Sequence, residues 1–135
     1  MAFRVAAVIW TAIALVVIAI VHFSLAPQFD LVQTRLEGGF VATVGQLFRV
    51  AAVSSAVLAV LILVRPRRWS ALVVASASLA GLVLTVASTV TPIELPFGLP
   101  MIPVGPWLQL RVVTAAAETL AVVGSITIAS LRRPK

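Results

Sequence analysis

The chain has 135 residues, of which 61% are hydrophobic and 10% are charged, and its mean hydropathy is +1.17. This balance excludes a disordered tail and an ordinary soluble domain, in which about 25% of the residues are charged. The net charge is +6, but most of the basic residues flank long apolar runs, which indicates membrane topology rather than nucleic-acid binding. We therefore expect contact with a lipid bilayer and no nucleic-acid partner.

Four apolar runs are long enough to cross a membrane, since a helix needs about 20 apolar residues to span about 30 Å of hydrocarbon. The runs are apolar on every face, whereas the strands of a membrane barrel alternate between apolar and polar residues. The sequence predicts an all-α, polytopic membrane protein, with one domain (1–135) of four transmembrane helices in an up-down-up-down bundle. The spans are predicted at about 5–26, 42–64, 69–91 and 107–131.

The first run has an alternative interpretation as a signal peptide, because it follows Arg4 and ends in Ser24-Leu25-Ala26, which resembles a cleavage site. Its apolar stretch is longer than the usual core of about 7–15 residues. Pro27 would also follow the cut directly and block cleavage. We favour a retained first span.

The basic residues predict the orientation of the bundle. Seven of them fall on one side of the four spans, and the loops of the other side hold only Arg35. By the positive-inside bias, both termini and the second loop are cytoplasmic, which predicts a multi-pass protein of the plasma membrane. The seven residues are Arg4, Arg65, Arg67, Arg68, Arg132, Arg133 and Lys135.

The two outer loops differ in character. The first is polar and ends in Gly38-Gly39, which predicts a flexible entry to the second helix. The second, residues 91–107, holds five of the eight prolines and a single charge, Glu94, so it cannot continue a helix. It is interpreted as a lid over the bundle, an interfacial segment or a partner-binding surface. The candidate contact residues are Pro96, Phe97, Leu99, Met101, Ile102 and Trp107.

Ionisable residues within the spans are candidates for a functional site, because each costs several kcal/mol unless it is paired or reaches the interface. Arg111, Thr114, Glu118 and Ser125 share one face of the fourth helix by their spacing. Glu118 could form a structural pair with Arg49 or Arg111, contact another subunit, or contribute to an outward-facing site for a ligand or proton.

The outward-facing site, if present, suits an anionic lipid headgroup or an amphipathic acid, because two guanidiniums can hold a carboxylate or phosphate bidentately. Its predicted residues are Arg49, Arg111, Glu118, Gln46, Gln109 and His22.

An internal repeat is a further possibility. A 62-residue offset places Arg49 on Arg111 and residues 58–60 on 120–122. Duplication of a helical hairpin would be parallel, with an axis along the membrane normal, but sequences rich in Ala, Val and Leu also match by chance.

Small residues at every fourth position predict close helix packing in lipid. They are Ala77, Gly81 and Thr85 on the third span, and Ala117, Ala121, Ser125 and Ala129 on the fourth.

The residue types leave little reactive chemistry. The chain has no cysteine and one histidine, which excludes disulfides, thiolate sites and bis-histidine haem ligation within one chain. It also lacks the common nucleotide-binding, zinc-protease, serine-hydrolase and calcium-loop patterns. We therefore expect no cofactor, no metal and no catalytic residues.

Two functions remain. The first is a non-catalytic accessory or assembly subunit of a larger membrane complex. The alternative is a small transporter or binder of an anionic lipid or amphipathic acid, for which two chains would pair as a homodimer.

A sparse pattern of residues spans most of the chain: His22 to Pro27, Glu37-Gly38-Gly39-Phe40, Gln46, Leu95-Pro96-Phe97-Gly98 and Glu118. In this pattern the chain resembles small, uncharacterised four-span membrane proteins of high-GC Gram-positive bacteria. That group has a second histidine shortly after the outer proline, where this chain has Gln28 and Phe29. The resemblance implies the four-span architecture, and the departure argues against metal or haem binding.

Overall fold

Four long helices make up most of the computed structural model, which describes residues 2–105 and 108–131. They are α1 (Ala2–Leu25), α2 (Val44–Val64), α3 (Arg68–Ala87) and α4 (Gln109–Ser130). Each is long and apolar enough to cross a membrane, since 20 residues of helix extend about 30 Å. The prediction of an all-α membrane protein with four packed helices is confirmed.

The third and fourth helices are shorter than their predicted spans of 69–91 and 107–131. α3 ends at Ala87 because the chain turns at once, with the Thr89 and Val90 amides bonding to carbonyls three residues back. Pro92 follows and has no amide to donate. α4 begins at Gln109, directly after the Pro-rich segment.

The helices pack as an open bundle. α1 lies against both α2 and α4, and α4 lies against α3, whereas contact between α2 and α3 is sparse. Leu15, Ile62, Val74 and Ile128, one from each helix, are almost completely buried. Because lipid chains are as apolar as these side chains, the bundle is held by close packing rather than by the hydrophobic effect.

Small residues bring α1 and α4 together, as the sequence predicts for α4. Ala117, Ala121 and Ser125 are buried, and a Cβ on Gly124 would collide with the Thr11 hydroxyl of α1. On α3, by contrast, Ala77 is exposed, so only part of that predicted stripe lies at a helix contact.

The first outer loop contains secondary structure that the sequence does not predict. A 3-10 turn (Ala26–Phe29) leads into a hairpin of two antiparallel strands, β1 (Gln33–Arg35) and β2 (Val41–Thr43). Gly38 and Gly39 form its turn with φ of +92° and +85°, values that residues with a Cβ rarely adopt. We call the end of the bundle with this hairpin the outer end, after the orientation predicted from the sequence.

The Pro-rich segment also lies at the outer end and folds back on itself. Ile93 and Ile102 exchange two backbone hydrogen bonds of 3.0 and 2.9 Å, enclosing a 3-10 turn at Pro96–Gly98. A Cβ on Gly98 would lie 3.7 Å from the Leu36 side chain. The two outer loops therefore lie close together at Gly98 and Leu36.

Candidate functional site

Arg49 forms a bidentate ion pair with Asp30 of the first outer loop. Its Nη1 and Nη2 donate to Oδ1 and Oδ2, both at 2.7 Å, and the Thr43 hydroxyl donates to Oδ1 at 3.3 Å. These hydrogen bonds, with the charge of Arg49, hold the pKa of Asp30 below its ordinary value. The predicted pair of Arg49 with Glu118 is therefore wrong.

Gly45 explains how Asp30 reaches Arg49. The space that a Cβ at position 45 would occupy is filled by the Asp30 carboxylate and the Ala26 carbonyl. The loop thus lies directly on the first turn of α2, and Arg49 meets the carboxylate one turn further along. The sequence contains both charges, but their separation of 19 residues across a loop gives no signal of contact.

Arg111 is held by main-chain carbonyls. Its Nη1 donates to the Ser88 carbonyl at 3.3 Å and also to the Gly105 carbonyl, and a Cβ on Gly105 would lie 2.9 Å from Nη2. Gly105 also donates its own amide to the Ser88 carbonyl at 3.1 Å. The predicted pair of Arg111 with Glu118 is wrong as well, since this guanidinium fastens the Pro-rich segment to the end of α3.

Glu118 is buried inside the bundle, with 2% of its surface exposed. It lies about 13 Å along α4 from the start of the helix, opposite Gly81, where a Cβ would lie 2.5 Å from Oε1. The Glu118 Oε2 has no hydrogen-bond partner within the described residues. Among these residues the Asp30–Arg49 contact is the one ion pair, so Glu118 is a buried carboxyl without a cation.

The prediction that polar residues share one face of α4 is confirmed for the three residues deepest in the bundle. Thr114, Glu118 and Ser125 are all buried, and Arg111 is half-buried at the outer end. Thr114 satisfies its hydroxyl by donating to the Leu110 carbonyl at 2.9 Å. The hydroxyl of Ser125, like that of Ser78 on α3, has no partner within the part of the chain that the structure describes.

The remaining predicted site residues have local contacts of their own. Gln46 closes a capping box with Thr43 at the start of α2, with two hydrogen bonds of 3.0 Å. The Nδ1 of His22 lies 2.9 Å from the Ile18 carbonyl, and its ring meets Phe48 edge-on. Gln109 is exposed at the start of α4. None of these contacts involves Glu118, so the single site predicted around it stays a prediction.

Phe97 is the most prominent residue of the Pro-rich segment. It is 92% exposed and has a left-handed backbone with φ of +62°. Of the other predicted contact residues, Pro96 and Met101 are exposed, Leu99 and Ile102 are half-buried, and Trp107 lies outside the described residues.

The opposite end of the bundle, which we call the Arg-rich end, carries exposed Arg65, Arg67 and Arg68 in and beside the turn between α2 and α3. Arg4 of α1 donates to the Pro66 carbonyl at 2.6 Å. Arg67 and Arg68 also line a shallow concavity of about 640 Å³ together with Trp69 and Leu72. The sequence marks these arginines as topology signals but does not reveal the concavity.

Comparisons with known proteins add no assignment. No family model matches the chain, and neither do curated proteins or solved structures. Within the described residues, no group of three His, Asp or Glu side chains could hold a metal ion. The function is therefore argued from the geometry of the chain.

Proposed function

We propose that this small integral membrane protein is a non-catalytic accessory or assembly subunit of a larger membrane complex in the plasma membrane, with both termini in the cytoplasm. The observation that carries the proposal is Phe97, an aromatic side chain presented almost completely free at the outer end. A left-handed backbone costs a residue with a Cβ about 1–2 kcal/mol, and such strained residues cluster at functional contacts.

The surroundings of Phe97 suit contact with another protein. The segment is braced by the Ile93–Ile102 bridge and by the carbonyl contacts of Arg111, so the ring is displayed on an ordered support. Met101 of the same segment is a second exposed apolar side chain. A large, rigid aromatic side chain loses little conformational freedom when it is buried by a partner, which makes it a good anchor for an interface.

The alternative function, a transporter or binder of an anionic lipid or amphipathic acid, is supported by one observation. Glu118 is buried with Oε2 unpartnered among the described residues, and intramembrane carboxyls often mark transport pathways. Arg49 and Arg111, however, already bind Asp30 and main-chain carbonyls, so an anion would have to displace these contacts. The subunit proposal is therefore preferred.

Site-specific photo-crosslinking tests the proposal. A benzoylphenylalanine placed at Phe97 should give one discrete protein adduct in intact cells. Leu31 is the matched control, because it is 91% exposed at the same end and lies outside the Pro-rich segment. Adducts of equal yield at both positions, or recovery of the chain only as a monomer or homodimer, would contradict the proposal.

A further inference from the structure

The concavity at the Arg-rich end combines basic and apolar side chains. We propose that it binds the phosphate of an anionic phospholipid, with Arg67 and Arg68 as the ligands and Trp69 and Leu72 as the apolar wall. The site is separate from the outer surface around Phe97 and does not depend on the proposed subunit function.

The arginines at this end have no acidic side chain to pair with. The chain has four acidic residues. Asp30, Glu37 and Glu94 belong to the outer loops, and Glu118 lies within α4. Arg65, Arg67 and Arg68 are exposed, and the positive end of the α3 dipole adds to their charge. These arginines are therefore free to bind an external anion.

The turn that carries these arginines is fixed through its main chain. The Ser70 hydroxyl donates to the Arg65 carbonyl at 2.5 Å and accepts from the Arg67 amide at 3.0 Å, while Arg4 holds the Pro66 carbonyl. Arg67 and Arg68 both line the concavity, and both side chains are exposed. Two arginines on one fixed turn can together bind a phosphate, since a guanidinium holds phosphate oxygens bidentately.

The wall of the concavity favours a lipid over a soluble anion. Trp69 is 47% exposed and Leu72 is also exposed, and both belong to the first turns of the membrane-spanning α3. An indole at this level suits the membrane interface, where its ring contacts the glycerol and upper acyl region. Basic residues beside a span attract anionic lipids, and a phospholipid satisfies both the cationic and the apolar side of the site.

Lipid titration of the full-length chain in neutral detergent tests the proposal. Binding of phosphatidylglycerol and phosphatidylcholine is measured by native mass spectrometry for the wild type and for Arg67→Gln/Arg68→Gln. The wild type should prefer phosphatidylglycerol, and the double variant should bind it about 25-fold more weakly, since each arginine near an anionic lipid contributes about fivefold. Arg35→Gln removes one positive charge from an exposed position at the outer end, which matches each single arginine variant, and should leave binding unchanged.

Three outcomes would overturn the proposal. The first is equal phosphatidylglycerol binding by the wild type and the double variant. The second is weaker phosphatidylglycerol binding by Arg111→Gln instead of by the double variant, which would place the lipid at the outer end. The third is equal competition by inorganic phosphate at matched concentration, which would make this a site for a free anion. If the double variant does not fold, the single variants Arg67→Gln and Arg68→Gln replace it. Each should bind phosphatidylglycerol about fivefold more weakly than the wild type.

Discussion

Gly81 of α3 leaves open the space into which the Glu118 carboxyl of α4 projects, so that a Cβ at position 81 would lie 2.5 Å from Oε1. The two residues thus set how closely α3 and α4 approach. Gly81→Ala should destabilise the bundle by about 1–3 kcal/mol, the usual cost of overpacking. The free energy of unfolding in detergent measures this, with the exposed Ser76→Ala of the same helix as control.

A double-mutant cycle shows whether the carboxyl causes that cost. In the Glu118→Ala background the space beside position 81 is empty. Gly81→Ala should therefore destabilise that variant by about 1 kcal/mol less than it destabilises the wild type. If Gly81→Ala costs the same in both backgrounds, the two residues are not coupled.

Glu118 has no cation beside it within the described residues, and this predicts the behaviour of Glu118→Gln. The amide has nearly the same shape and breaks no ion pair, so the free energy of unfolding at neutral pH should stay within about 1 kcal/mol of wild type. A loss of about 3–5 kcal/mol would reveal a buried ion pair broken by the substitution.

The Asp30–Arg49 pair predicts a pH dependence of the outer hairpin. Arg49 lowers the pKa of Asp30 below the unfolded value of about 3.9, so the stabilisation is complete above that value and is lost as the pH falls through the folded pKa. Hydrogen exchange of residues 31–48 should accelerate below about pH 4 relative to the rest of the chain.

Asp30→Asn should already show fast exchange of these residues at neutral pH and little further acid dependence. Glu37→Gln, a change in an exposed carboxylate of the same hairpin, should leave the wild-type pH profile intact. An unchanged profile in Asp30→Asn would mean that the pair does not hold the hairpin.

Arg111 fastens the Pro-rich segment, so Arg111→Gln should release it. The variant loses charge-assisted hydrogen bonds to the Ser88 and Gly105 carbonyls, each worth about 1.5–3 kcal/mol. Amide exchange of Gly105 and Ile102, which donate backbone hydrogen bonds in the segment, should accelerate by at least tenfold. Arg35→Gln serves as the charge-matched control, and equal protection of the two variants would contradict this role.

Substitution of Phe97 should affect stability and partner binding in opposite directions. Asparagine tolerates a left-handed backbone better than phenylalanine does, so Phe97→Asn should raise the free energy of unfolding by up to about 1 kcal/mol. The same variant should no longer copurify with the protein that benzoylphenylalanine at position 97 captures in the wild-type background. A variant that is less stable than wild type would show that the exposed ring supports the fold.

The orientation of the bundle can be measured by labelling single introduced cysteines, since the chain has no cysteine of its own. Glu37→Cys and Glu94→Cys lie in the outer loops and Arg67→Cys at the Arg-rich end. By the positive-inside bias, an impermeant thiol reagent added to intact cells should label the first two and miss the third. Labelling of Arg67→Cys alone would place the termini outside.

The sequence by itself determines the four helices and the inner face of α4. A bilayer requires about 20 apolar residues for each crossing, and this length can be read from composition without knowledge of any contact. Helical spacing likewise places Thr114, Glu118 and Ser125 on one face, and all three are buried. These features depend only on local periodicity and on the solvent.

Only the tertiary structure decides which partners the ionisable residues take. Arg49 binds Asp30 because the outer loop folds down onto Gly45, and Arg111 binds carbonyls because the Pro-rich segment returns to the end of α3. Glu118 is left opposite Gly81 without a cation among the described residues. Loop conformation and helix approach depend on contacts distant in the sequence, so opposite charges at similar depth do not by themselves predict a pair.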